Sequence, residues 1–276
     1  MLKTRIITAL LLAAGLLGAL FLANDLVWAL LMWVVVAIGA WEWGALAGLN
    51  IAGRRAFAAL LSVIIIACLP GIWPPSILAN QYALLFFVIL ATTIFWLLLA
   101  PIALLTSHQA QRGVTLCIGA VLLLAFWMAM VSLRSISPTL VLVLMAAVWI
   151  ADSAAYFAGS AYGRHKLAPT ISPGKTWEGV LGAWLAVTLY GLILCWVKDL
   201  SLWWLVALWA VTVLSIMGDL FESLLKRQAG LKDSGSILPG HGGILDRIDG
   251  LLPTLPVAAF AFHLPLYLNL IAYHYG

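Results

Sequence analysis

The stretch "LSLWWLVALWAVTVLSIMGDLFE", residues 200–222, decides the fold. From Leu200 to Gly218 it carries no charge, and its apolar residues run on without the alternation of a half-buried strand. A helix of about 20 such residues crosses a hydrocarbon core about 30 Å thick and satisfies its own backbone hydrogen bonds there. The lack of a period-two pattern excludes a transmembrane barrel. Comparable windows recur at 6–23, 26–48, 56–72, 78–100, 114–133, 139–160, 177–197 and 250–272. The sequence therefore predicts an all-α, polytopic membrane helix bundle of about nine transmembrane helices.

Composition agrees. Of 276 residues, 65% are hydrophobic and 9% charged, whereas a soluble globule carries about 25% charge. Without an internal repeat or a linker, residues 1–276 read as one integral membrane domain, with N-terminal helices over 1–150 and C-terminal helices and cytoplasmic loops over 151–276. Lys3 and Arg5 precede the first apolar run as they would in a signal peptide. Cleavage after Ala23, however, would set bulky Phe21 where a small residue is required, so the segment is read as a retained helix.

Counting Lys and Arg in alternate loops assigns Lys3, Arg5, Arg54, Arg55, Arg112, Arg164, Lys166, Lys175, Lys226, Arg227, Lys232 and Arg247 to one side, and only Arg134 and Lys198 to the other. The positive-inside rule then predicts a cytoplasmic N-terminus and an outside C-terminus. The net charge of +4 follows from that topology; scattered over several loops, it does not predict a nucleic-acid partner. Cys68, Cys117 and Cys195 have no metal or redox spacing and read as apolar filler. Trp28, Trp73, Trp177, Trp196 and Trp203 sit near predicted span ends, as interfacial anchors do.

Charge is scarce, so its clustering carries information. The window from Asp219 to Asp249 holds Asp219, Glu222, Lys226, Arg227, Lys232, Asp233, Asp246, Arg247 and Asp249. Glu222 and Lys226 could be no more than an i, i+4 pair at a helix end. Asp219 is harder to dismiss, because an acid at a membrane helix centre costs about 2.5–3.5 kcal/mol. Asp246 and Asp249 lie three apart before the last span, and the helix dipole alone could explain them. Taken together, facing carboxylates and nearby cations predict a site for Mg²⁺ and phosphate. Gly240, Gly242 and Gly243 would let the backbone approach a polyphosphate, with His241 among them as a phosphate donor or a loop residue.

A second polar window runs from Asp152 to Glu178. "SPGKT" at 172–176 lacks the nucleotide P-loop's first glycine, since residue 169 is Pro, and lacks its preceding strand. What remains is a turn carrying Lys175, with Ser172, Thr176 as a possible N-cap, and Glu178. Asp152 lies within the sixth predicted span and should face the protein interior or a water-filled cavity, where it could line the same site. Gly159 and Ser160 read as close-packing residues.

The stretch "SLLKRQAGLKDSGSILPGHGGILDRID", residues 223–249, resembles the signature of the phosphatidate cytidylyltransferases, or CDP-diglyceride synthases, at every specified position. "SPGKTWEG" and "GDLFESLLKR" also resemble that family, and the resemblance covers the chain from about Ala151 onward. It implies transfer of a cytidylyl group from CTP to phosphatidate, giving CDP-diacylglycerol and pyrophosphate, with Mg²⁺ or another divalent cation. By motif position it carries over Ser223, Lys226, Arg227, Lys232, Asp233, His241, Gly242, Gly243, Asp246, Arg247 and Asp249.

With the charge argument, Asp219, Asp246 and Asp249 are the expected metal ligands, and these with Lys226 are the expected catalytic residues. Lys175, Ser223, Lys226, Arg227, Lys232, His241, Gly242, Gly243 and Arg247 are expected to bind substrate phosphates. The implied partners are CTP, phosphatidate and the lipid bilayer. The implied location is the bacterial inner membrane, and the oligomeric state is left open between monomer and homodimer. A CDP-alcohol phosphotransferase is disfavoured because "DGLLPT" after Asp249 lacks that family's Ala-Arg. A transporter would use Asp152 and Asp219 as an ion pathway.

Overall fold

The computed structural model describes residues 13–69, 75–107, 109–235, 237 and 242–275, and only the backbone over 75–83 and 266–275. The chain is an all-α membrane protein. Its helices are α1 (Ala13–Leu22), α2 (Asp25–Leu46), α3 (Ile51–Ala67), α4 (Pro75–Ile94), α5 (Ala100–Thr106), α6 (Arg112–Ile136), α7 (Pro138–Tyr162), α8 (Trp177–Lys198), α9 (Trp203–Gln228), α10 (Leu245–Ile248) and α11 (Leu251–Tyr275). A π-helical turn, Phe95–Leu99, joins α4 to α5. One element lies outside the helical scheme: antiparallel strands β1 (Lys166–Ala168) and β2 (Ser172–Thr176) make a hairpin between α7 and α8.

Among the described residues six helices are long and apolar enough to cross a membrane, fewer than the nine expected. α3 has 17 residues and carries Arg54 and Arg55 in its first turns, which shortens its apolar part. The apolar stretches of α1 and α11 run over Ala13–Leu22 and Leu251–Pro265. Lys3 and Arg5, used for orientation, lie outside the described residues, as do Trp73 and His241.

Two kinds of contact build the bundle. Helices α2 and α6 run antiparallel and are pinned by indoles: Trp28 Nε1 donates to the Met130 carbonyl at 3.0 Å, Trp43 Nε1 to Thr115 at 2.8 Å, and Trp127 Nε1 to Ala29 at 2.9 Å. A buried indole N–H needs such a partner, and a backbone carbonyl supplies it without a second polar side chain. Trp28 is thus a core residue, 1% exposed, and not the interfacial anchor expected, whereas Trp177, Trp196 and Trp203 are exposed. Helices α7 and α8 instead approach through small residues: a Cβ on Gly179 would stand 2.9 Å from the Ala155 carbonyl, and one on Gly182 would overlap Ala158.

Three local features set up the polar end. Thr176 is the N-cap of α8, its Oγ1 accepting from Gly179 N at 3.1 Å, so that β2 runs straight into the helix. Glu178 accepts the backbone N–H groups of Arg164 and His165 and lies 2.6 Å from His165 Nδ1, closing the base of the hairpin. α9 and α11 touch at Gly218, where a Cβ would collide with the Asp249 carbonyl and stand 2.9 Å from Pro253 Cδ. That approach brings Asp249 beside the α9 acids.

Candidate active site

A polar cavity of about 550 Å³ opens where α7, the hairpin, α9 and the α10 turn meet. Asp152, Asp219, Asp246 and Asp249 line it, with Lys175 and Arg247. The volume is in the range of small-ligand sites. The acids come from three places in the chain. Asp152 is on α7, Asp219 on α9, and Asp246 and Asp249 are in and just after α10. Sequence spacing placed the last two on the first turn of one helix; the structure puts them on a separate short turn ahead of α11.

Asp246 is the most tightly held. Its Oδ1 accepts from Lys226 Nζ at 2.6 Å; its Oδ2 accepts from Ser234 N at 3.1 Å, Ser234 Oγ at 2.9 Å and Gly243 N at 2.9 Å. Burial alone would raise its pKa, but the Lys226, Gly243 and Ser234 hydrogen bonds outweigh it and hold the carboxyl below its ordinary value. Lys226 also donates to Glu222 Oε2 at 2.8 Å, so one ammonium on α9 bridges two carboxylates. The i, i+4 pair expected at a helix end is therefore part of the site's wall. Glu222 is 2% exposed, and its Oε1 has no hydrogen-bond partner among the described residues.

Across the cavity, Lys175 Nζ from β2 lies 2.6 Å from Asp219 Oδ2, and Ser223 Oγ donates to Asp219 Oδ1 at 3.3 Å. Asp249 Oδ1 accepts its neighbour Gly250 N at 2.8 Å. Burial first, then the charges of Asp219, Glu222 and Asp152, push the Asp249 carboxyl well above its ordinary value.

Several expected phosphate ligands stand away from the cavity. Arg227 Nε donates to the Ile171 carbonyl at 3.3 Å, tying α9 to the hairpin turn. Lys232 is exposed beyond the end of α9. Gly242 has φ +80°, and a Cβ there would stand 2.8 Å from Asp246 Oδ2. A Cβ on Gly243 would stand 2.6 Å from Glu42 Oε2. The room that these glycines leave is taken by protein carboxylates. His241 and Gly240 fall outside the described residues.

Glu42 is the residue that sequence reasoning missed. It is fully buried, and its carboxylate accepts from Ile244 N and Leu245 N, with Ser234 Oγ 3.3 Å from its Oε2. The signal was available: it is a lone acid inside the 26–48 span, and the cost argument that singled out Asp152 applies to it equally.

A hard divalent cation prefers oxygen donors, and four aspartates facing one cavity are the right chemistry. Burial pushes Asp249 up most and the neighbouring acids add to it; a cation in the cavity would relieve the part that comes from their charge. As the side chains stand, Lys175 sits on Asp219 and Lys226 on Asp246, and among the described residues no three acidic, His or Cys groups converge closely enough to hold a metal.

Residues 3–264 match the model of the cytidylyltransferase family. The chain belongs to that family. Similar proteins carry the name phosphatidate cytidylyltransferase. One from Pseudomonas aeruginosa is 43% identical over 94% of this chain and 96% of its own length. One from Haemophilus influenzae is 33% identical over 95% and 99%, and one from Thermotoga maritima 43% identical over 44% and 48%. The match thus reaches well before Ala151 and takes in the N-terminal helices of this cytidylyltransferase, where the sequence resemblance had covered only the C-terminal half.

Proposed function

We propose that the four-aspartate cavity is where CTP and phosphatidate react to give CDP-diacylglycerol and pyrophosphate, in the phospholipid biosynthesis of a bacterial inner membrane. The observation that supports this most is the meeting of Asp219, Asp246 and Asp249 with Lys175 and Arg247 in one polar cavity of a membrane protein. A phosphate oxygen of phosphatidate attacks the α-phosphorus of CTP; the new P–O bond forms as the bond to the β-phosphate breaks, and pyrophosphate leaves. Phosphatidate is already ionised, so no general base is needed. Aligning two polyanions and neutralising their charge is the main demand.

Asp219, Asp246 and Asp249 would hold Mg²⁺, which when bound would screen the triphosphate and stabilise departing pyrophosphate. The hydrogen bonds on Asp246 pre-orient it for such a role. Lys175 and Arg247, which line the cavity, bind substrate phosphates. Lys226 and Ser223 hold the carboxylates in place, and substrate phosphates extending past the cavity lining would meet Arg227, Lys232 and His241. We further propose a cytoplasmic N-terminus and an outside C-terminus, and a single membrane domain.

Purified protein given CTP, phosphatidate and Mg²⁺ should release pyrophosphate and liponucleotide in equal amounts. No Mg²⁺-dependent product in lipid conditions that support a relative's activity would overturn the assignment.

A further inference from the structure

A buried carboxylate of the N-terminal half binds the backbone of the motif. Glu42 is 0% exposed on a membrane-crossing helix, where a carboxylate persists only if hydrogen bonds replace its water. Its Oε1 accepts from Ile244 N at 3.1 Å and its Oε2 from Leu245 N at 2.9 Å. These N–H groups belong to the start of α10, where no intrahelical carbonyl can take them. Ser234 Oγ lies 3.3 Å from Glu42 Oε2 and 2.9 Å from Asp246 Oδ2, so a single hydroxyl sits between the two carboxylates.

The chain is folded around Glu42. A Cβ on Gly243 would stand 2.6 Å from its Oε2, and one on Gly235 would overlap its Oε1. A small displacement of a reacting geometry lowers a rate by as much as about 100-fold. We propose that Glu42 is a positioning residue for the reaction: it clamps the turn from Gly243 to Asp246 and so fixes where Asp246 and Arg247 enter the cavity.

This inference rests on the cavity being the reaction site. Glu42→Gln keeps the length but offers one acceptor oxygen and sets an NH₂ group against a backbone N–H. The expected result is a melting temperature in detergent within a few degrees of wild type, kcat lower by about 10- to 100-fold, and KM for CTP and phosphatidate within about threefold. Glu42→Asp, with two acceptors on a shorter arm, should recover part of kcat. A folded Glu42→Gln protein with kcat within about twofold of wild type overturns the proposal.

Should Glu42→Gln not accumulate folded, Ser234→Ala reads the same link. A kcat loss of about three- to tenfold at unchanged melting temperature supports the clamp, and full kcat overturns it. Asp246→Asn is the control: if it stays active, the site assignment fails. If Asp246→Asn is inactive while Glu42→Gln or Ser234→Ala keeps full kcat, only the role of Glu42 fails.

Discussion

Two lysine–aspartate pairs face each other across the cavity, at the same 2.6 Å separation and in very different settings. Lys226 and Asp246 are 12% and 11% exposed, and Lys226 is shared with the buried Glu222. Lys175 and Asp219 are 22% and 35% exposed, and Lys175 comes from a hairpin rather than a helix. A buried pair cannot be separated without stranding a charge, whereas a half-exposed pair can exchange its partner for water or ligand at little loss. The Lys226 side is thus a fixed wall, and the Lys175 side a clasp that a cation and a nucleotide phosphate can take apart.

The largest effect should come from breaking the wall. Lys226→Met leaves Asp246 and Glu222 without their shared cation; the expected loss is about 3–5 kcal/mol of stability with activity abolished, read by thermal unfolding in detergent. Adding Glu222→Gln should restore part of the stability and none of the turnover. A stable, active Lys226→Met protein would show that the two pairs are alike. Next, Asp246→Asn should leave a folded, inserted protein whose turnover of labelled CTP is lower by about 100- to 1,000-fold.

Opening the clasp should act on chemistry and spare the fold. Lys175→Gln is expected to shift stability by less than about 1 kcal/mol while lowering kcat/KM for CTP by about 10- to 100-fold. A stability loss as large as that of Lys226→Met would contradict the distinction. The smallest effect on the fold, one of a few degrees, concerns Asp249. Its carboxyl is held high by burial and by Asp219, Glu222 and Asp152, so the folded protein keeps a proton that the unfolded chain releases.

That group's contribution is most favourable in acid, and is lost as pH rises through the carboxylate range towards the raised folded value. Asp249→Asn should therefore raise the melting temperature of metal-free protein by about 2–4 °C at about pH 7, with the gain vanishing by about pH 4, while activity is lost. Destabilisation at neutral pH would reverse the sign of this argument.

The fold class was legible because length and apolarity act locally: a run such as 200–218 has few structures open to it in lipid. The motif at 223–249 was legible for the same reason, since its polar residues stand out against an apolar chain. The hairpin at 166–176 was not, because its pairing depends on Thr176 capping α8 and on Glu178 closing its base. Trp28 was misplaced because periodicity reports a span end and says nothing of the Met130 carbonyl on a neighbouring helix.

The glycines at 242 and 243 read naturally as room for a ligand, yet their space belongs to Asp246, Ser234 and Glu42. By itself, the sequence determined that this chain is a membrane helix bundle with a cytidylyltransferase signature and an acidic site. Tertiary structure alone decided which lysine meets which carboxylate, and that Glu42 supports the motif from 202 positions away. The physical reason is that a buried charge must find its partners wherever packing brings them, and packing is not a property of spacing along the chain.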